Sequence, residues 1–170
     1  MLANFLEKSK PITFVVLITL FLGFVILAFL TNNSVDFYWE NTLFSYGSYF
    51  FLLVSTFFFF NFIVVKNALT FDNAFAFFFF IICLGLIPAS FLDEKTLFTN
   101  LIILLFLRKV YSLKSSKKVI QKLFDGGFWL GILFITEPFC LIFSTLLYIS
   151  IYINQKINFQ TLLIPIVAFG

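Results

Sequence analysis

Histidine is absent from the 170 residues, and only 11% of them carry a charge. Without His there is no Ser-His-Asp or Cys-His catalytic arrangement, and the commonest metal ligand is missing. An ordinary soluble domain has about 25% charged residues. So low a charge content cannot cover the large surface of a small sphere, which excludes a soluble globular domain. Disorder is excluded as well, because it needs high charge and few aromatics. Cysteine is scarce: Cys83 and Cys140 lie in apolar runs, where a thiol behaves as a small hydrophobe. Their spacing suggests neither a disulfide framework nor a zinc site. A net charge of +3 is too small to mark a nucleic-acid binder. The sequence contains no P-loop, dinucleotide fingerprint, HExxH or GxSxG, so no cofactor and no metal is expected.

What is present is apolar: 62% of the residues are hydrophobic and thirty are Phe. Alanine is scarce beside Phe, Ile, Asn and Lys, a bias that A/T-rich codons produce, and in lipid Phe and Leu are nearly equivalent. The composition is that of an integral membrane protein.

The first apolar run, Pro11 to Leu30, has no charge, and at about 1.5 Å per residue its twenty residues cover a bilayer core of about 30 Å. Ala28-Phe29-Leu30-Thr31 offers no good cleavage site, so the run reads as an uncleaved signal anchor with Pro11 in its first turn. A polar, aromatic loop follows, with Asp36, Tyr38, Trp39 and Glu40 and neither Lys nor Arg. Further spans are expected at about 47–65, 74–92 and 96–111. The fourth has only twelve apolar residues before Arg108 and spans only if Arg108 and Lys109 snorkel. A basic stretch, Arg108 to Lys122, then places Lys114, Lys118 and Lys122 at i, i+4 and i+8, which suits a helix on an anionic membrane surface. Asp125-Gly126-Gly127 is expected to break it.

Residues 128–153 form one apolar stretch interrupted by Glu137-Pro138, where proline predicts a kinked or discontinuous helix with halves Phe128–Thr136 and Phe139–Ile153. Another apolar run begins at Thr161 and reaches only Gly170, which reads as the N-terminal part of a longer protein. The expected fold is therefore all-α: a single polytopic transmembrane helix bundle of about five spans plus the start of a sixth. With the N-terminus cytoplasmic, nine Lys and Arg lie inside, and only Lys95 and Lys156 outside.

Few residues offer chemistry. Asp36 and Glu40 are four apart on the outer side and, if helical, share a face from which they can coordinate a cation or act as base and acid. Read otherwise, they are solvated charges beside interface aromatics. Asp93 and Glu94 read as charges of a tight turn. Glu137 is costly at membrane depth, by about 2.5–3.5 kcal/mol, so it either faces a cavity on a substrate or ion path or lies near an interface. Lys114, Lys117, Lys118 and Lys122 read as topogenic contacts to anionic lipid head groups. Gly127-x-x-x-Gly131 fits small-xxx-small helix packing.

Two passages carry a resemblance: Phe5 with Ser9-Lys10-Pro11-Ile12, and Leu107-Arg108-Lys109 followed by Leu123-Phe124-Asp125-Gly126-Gly127-Phe128-Trp129-Leu130-Gly131. They resemble an uncharacterised family of multi-pass inner-membrane proteins of Bacteroidota, which carries over no catalytic residues. The order of basic loop, Gly-x-x-x-Gly and charged residue before Pro is also similar to GT-C glycosyltransferases and polymerases that use polyprenyl-phosphate-linked sugars. That similarity implies an acid in the first outer loop, where Asp36 and Glu40 stand; the loop is short, and Glu137 occupies a place where a Lys is frequent. The expected function is that of an integral inner-membrane subunit or assembly factor of an envelope complex, touching the bilayer, anionic lipids and membrane-protein partners but no nucleic acid. The alternatives are a GT-C-like transferase and a transporter with a broken helix at Glu137-Pro138.

Overall fold

The computed structural model describes residues 5–7, 10–31, 42–70 and 73–170. Among them are seven α-helices and no strand: α1 Pro11–Thr31, α2 Thr42–Lys66, α3 Phe75–Gly85, α4 Glu94–Ser112, α5 Val119–Thr136, α6 Ser144–Ile153 and α7 Phe159–Phe169. Short 3-10 turns occupy Pro88–Phe91 and Pro138–Phe143. Three helices are long and apolar enough to cross a membrane: α1, the Phe44–Lys66 part of α2, and α5. At 21, 23 and 18 residues they reach about 27–35 Å. The chain forms two compact units, Met1–Phe98 and Thr99–Gly170, divided within α4.

In the first unit, phenylalanines pack among the aliphatic side chains Leu17, Leu53 and Ile81. Phe57 of α2 stands 4.9 Å from Phe21 of α1 and 4.7 Å from Phe77 of α3, and Phe60 stacks on Phe80 at 3.8 Å. The tilted Phe21–Phe57 and Phe57–Phe77 pairs satisfy the ring quadrupole and add about 0.5–1.5 kcal/mol each beyond burial. Gly85 lies under the Phe24 ring, where a Cβ would come within 2.6 Å of it. The expected span 74–92 is not one helix: α3 stops after eleven residues and the chain turns at Pro88. The physical reason is local, since Ile87 before Pro88 is pushed out of helical geometry. Helix α4, by contrast, runs past Arg108 and Lys109 to Ser112, as the expected fourth span requires. Four charges near its ends keep it outside the group long and apolar enough to cross by composition alone.

The second unit is a helical hairpin flanked by α4 and α7. Phe106 and Val110 of α4, with Leu113 just beyond its end, present one face, and it meets Leu123, Leu130 and Leu133 of α5 and Leu147 and Ile151 of α6 in a continuous buried core. The spacings of three, four and seven are those of helix faces.

Two expectations are corrected here. Asp125-Gly126-Gly127 does not break the helix, because α5 runs unbroken from Val119 to Thr136. Each glycine costs about 1 kcal/mol of helix propensity, and tertiary packing overrides it. A Cβ on Gly127 would fall 2.4 Å from the Pro165 carbonyl oxygen of α7, and one on Gly131 3.0 Å from that of Phe169, so both glycines are the contact surface for α7. The i, i+4 glycine pair thus packs as the motif suggests, with α5 and α7 running in the same direction. The helix does break at Glu137, which is extended (φ −146°, ψ 104°) between α5 and the Pro138 turn. The break reverses the chain rather than kinking one span: Leu147 of α6 lies against Gly126, and Ser150 Oγ donates to the Val110 carbonyl at 3.1 Å.

Candidate functional site

The hairpin brings the end of α4, the start of α5 and the segment after α6 to one place. The last carbonyls of any helix lack intrahelical donors and carry the negative end of its dipole. Here the Lys122 ammonium supplies a donor to the last residue of α4, and two ammonium groups together serve the turn that follows it. Lys122 Nζ donates to the carbonyls of Ser112 at 2.6 Å and Ser115 at 3.1 Å. Lys156 Nζ donates to the carbonyls of Leu113 and, at 3.0 Å, Ser115. Lys109 pairs with Asp125 at 2.5 Å across α4 and α5, a partly exposed pair of modest strength. Burial pushes the Lys156 ammonium below its ordinary pKa.

Lys156 was expected on the side opposite the basic stretch, and its bonds to Leu113 and Ser115 place it at the same end. The reversal at Glu137 is the reason. All seven cations of residues 99–170 (Arg108, Lys109, Lys114, Lys117, Lys118, Lys122 and Lys156) thereby stand at one end of this unit. Glu137 stands at the other, about 27 Å away along α5.

The surface helix expected from Lys114, Lys118 and Lys122 does not form: 113–118 is a turn, and α5 starts only after Lys118, itself left-handed (φ 54°, ψ 42°). That conformation costs a residue with a Cβ about 1–2 kcal/mol and ends any continuous helix there. The four lysines therefore divide. Lys122 is half-buried on the carbonyls of Ser112, the last residue of α4, and Ser115 in the turn. Lys114, Lys117 and Lys118 are exposed, and their ammonium groups have no partner among the described residues.

Glu137 is half-buried at the hairpin turn, flanked by the strongly exposed Ile135 and Phe139, and its backbone continues the chain of bonds through Leu133 and Cys140. Asp36 and Glu40 lie outside the described residues. Among the described residues no group of three His, Cys, Asp or Glu gathers as a metal site would.

One acidic residue is placed differently from its sequence reading. Asp93 is a turn residue, and it caps α4: its carboxylate accepts from the Lys95 N–H at 3.0 Å, the Thr96 N–H at 3.2 Å and the Thr96 hydroxyl. Its neighbour Glu94 is not solvated but 4% exposed, accepting from Ser48 Oγ of α2. The signal available in the sequence was Ser48 in an aromatic helix, which carries no pointer to a partner 46 residues away.

Comparison of the chain with family models, with curated proteins and with solved structures returned no match.

Proposed function

We propose that this chain is a multi-pass protein of a bacterial inner membrane, acting as a non-catalytic subunit or assembly factor of an envelope complex. The observation that carries the reading is the segregation of charge in residues 99–170, seven cations at one end and Glu137 at the other. Between the two ends run α5, of about 27 Å, and the returning Pro138–Ile153 arm. Six residues of 3-10 turn and ten of α-helix give that arm about 27 Å as well. Both lengths match a bilayer core of about 30 Å. The outward side chains of these arms are Ile135, Phe139, Ile142, Ile149 and Ile153, each at least half exposed, which water would penalise and acyl chains accommodate. Positive-inside bias then orients the basic end to the cytoplasm and Glu137 to the outer face. A structural rather than catalytic role is supported by the use of Lys109, Lys122 and Lys156: each binds the chain's own backbone or Asp125.

The test is membrane topology followed by assembly state. In a Cys83→Ser, Cys140→Ala background, Ser115→Cys and Gln155→Cys are expected to react with a membrane-impermeant maleimide only after the cells are permeabilised. Glu137→Cys is expected to react in intact cells. Labelling of Ser115→Cys and Gln155→Cys from opposite sides would overturn the topology. Release of the wild-type chain by alkaline carbonate would overturn membrane insertion. Native mass spectrometry in mild detergent is expected to show a particle containing a second kind of chain, and a lone chain would overturn the subunit role.

A further inference from the structure

We infer that the second unit holds one phospholipid with a net-negative head, its phosphate among Lys114, Lys117 and Lys118 and an acyl chain in the groove between α5 and α7. The inference rests on membrane insertion and adds a specific ligand to it. The division of the basic residues is the starting observation. Lys109, Lys122 and Lys156 are engaged within the chain, whereas Lys114, Lys117 and Lys118 cluster in one turn with no partner among the described residues. An anion is the chemistry that complements three ammonium groups in so short a segment.

The groove begins where those lysines end. Its volume is about 500 Å³, within the range of small-molecule sites. Ile120 and Phe124 line it from the first turns of α5, and Phe159, Leu163 and Val167 line it from α7. These positions recur every fourth residue on each helix, so they form two parallel apolar walls running away from the basic end. All five side chains are between 40% and 78% exposed, so no element among the described residues covers the walls. The two helices that carry the walls are held at close approach by Gly127 against Pro165. A cationic mouth at Lys118, two residues before Ile120, with an apolar channel beyond it has the polarity order of a phospholipid.

The experiment is native mass spectrometry of the full chain in detergent, supplied with phosphatidylglycerol or phosphatidylcholine of the same acyl chains. Wild-type protein is expected to retain phosphatidylglycerol at least tenfold more than phosphatidylcholine, since each lysine near an anionic lipid contributes about a fivefold gain. Lys114→Gln/Lys117→Gln/Lys118→Gln is expected to abolish that preference with its helical circular dichroism unchanged. Phe124→Ala/Val167→Ala is expected to lower retention of both lipids. Equal retention of the two lipids by wild type, or an undiminished preference in the triple variant, would overturn the head-group site. Unchanged retention in Phe124→Ala/Val167→Ala, or displacement by glycerol 3-phosphate alone, would overturn the acyl groove. A chain that carbonate extracts from membranes would instead sink the membrane reading on which the site rests, and that readout is separate.

Discussion

The ammonium of Lys156 donates to the backbone carbonyl of Leu113, forty-three residues earlier in the chain. With its second bond to Ser115, this contact ties the segment after α6 to the turn that follows α4 and closes the helical hairpin. A charged donor on a partly buried carbonyl contributes about 1.5–3 kcal/mol. Lys156→Met is therefore expected to lower unfolding stability in detergent by about 2 kcal/mol. Lys114→Met, which removes an exposed lysine without a partner among the described residues, is expected to stay within about 0.5 kcal/mol. Equal effects of the two substitutions in a denaturant titration would refute the structural role given to Lys156.

The glycines provide a graded series. A methyl on Gly127 would meet the Pro165 backbone at 2.4 Å, and one on Gly131 would meet the Phe169 backbone at 3.0 Å. Backbone atoms cannot rotate aside, so α5 and α7 must separate and lose their packing, which in lipid is the main attraction between helices. Gly127→Ala is expected to cost about 2 kcal/mol or more, and Gly131→Ala less. Gly23→Ala, in open space on α1, is expected to be neutral or to stabilise by up to about 1 kcal/mol through helix propensity. The order of the three thermal midpoints is the check.

These relationships explain which parts of the molecule were legible in advance. Helix α1 spans Pro11–Thr31, almost the bounds read from an uninterrupted apolar run, because in such a run length alone decides the element. Helix α2 was expected from about 47 and begins at Thr42, since Leu43, Phe44 and Tyr46 continue its apolar character upstream. Pro138 announced a break but not its direction. Proline removes a hydrogen bond and a conformation, whereas reversal depends on Leu147 meeting Gly126 and on Lys156 meeting Leu113, contacts between distant residues. The same holds for Asp125-Gly126-Gly127, where local propensity argued for a break and the α7 contact reversed the outcome. Glu94 is the case among the acidic residues: it and Asp93 read together as charges of a tight turn, and only the fold separates the capping Asp93 from the buried Glu94.

That burial gives a coupling to measure. Glu94 accepts from Ser48 Oγ inside the first unit, and a charged acceptor makes the stronger class of hydrogen bond. Ser48→Ala and Glu94→Leu, which leaves no acceptor oxygen, are each expected to destabilise by about 1–2 kcal/mol. Because both remove the same interaction, the double variant is expected to cost less than the sum of the two by about 1 kcal/mol. Strict additivity in the four-variant cycle would show that the two side chains do not interact in the folded protein.

Asp93 isolates the cap from the buried acid next to it. Its carboxylate satisfies two of the four N–H groups that the start of α4 leaves open, at Lys95 and Thr96. Loss of an N-cap costs about 0.5–2 kcal/mol, whereas Asn, which keeps an acceptor oxygen, retains most of the cap. Asp93→Ala is accordingly expected to destabilise by about 1 kcal/mol and Asp93→Asn by no more than a few tenths. Hydrogen exchange supplies the local readout: the Lys95 and Thr96 amides are expected to lose protection in Asp93→Ala and to keep it in Asp93→Asn. If both variants lose protection equally, the negative charge acting on the α4 dipole, rather than the side-chain acceptor geometry, sets the start of the helix.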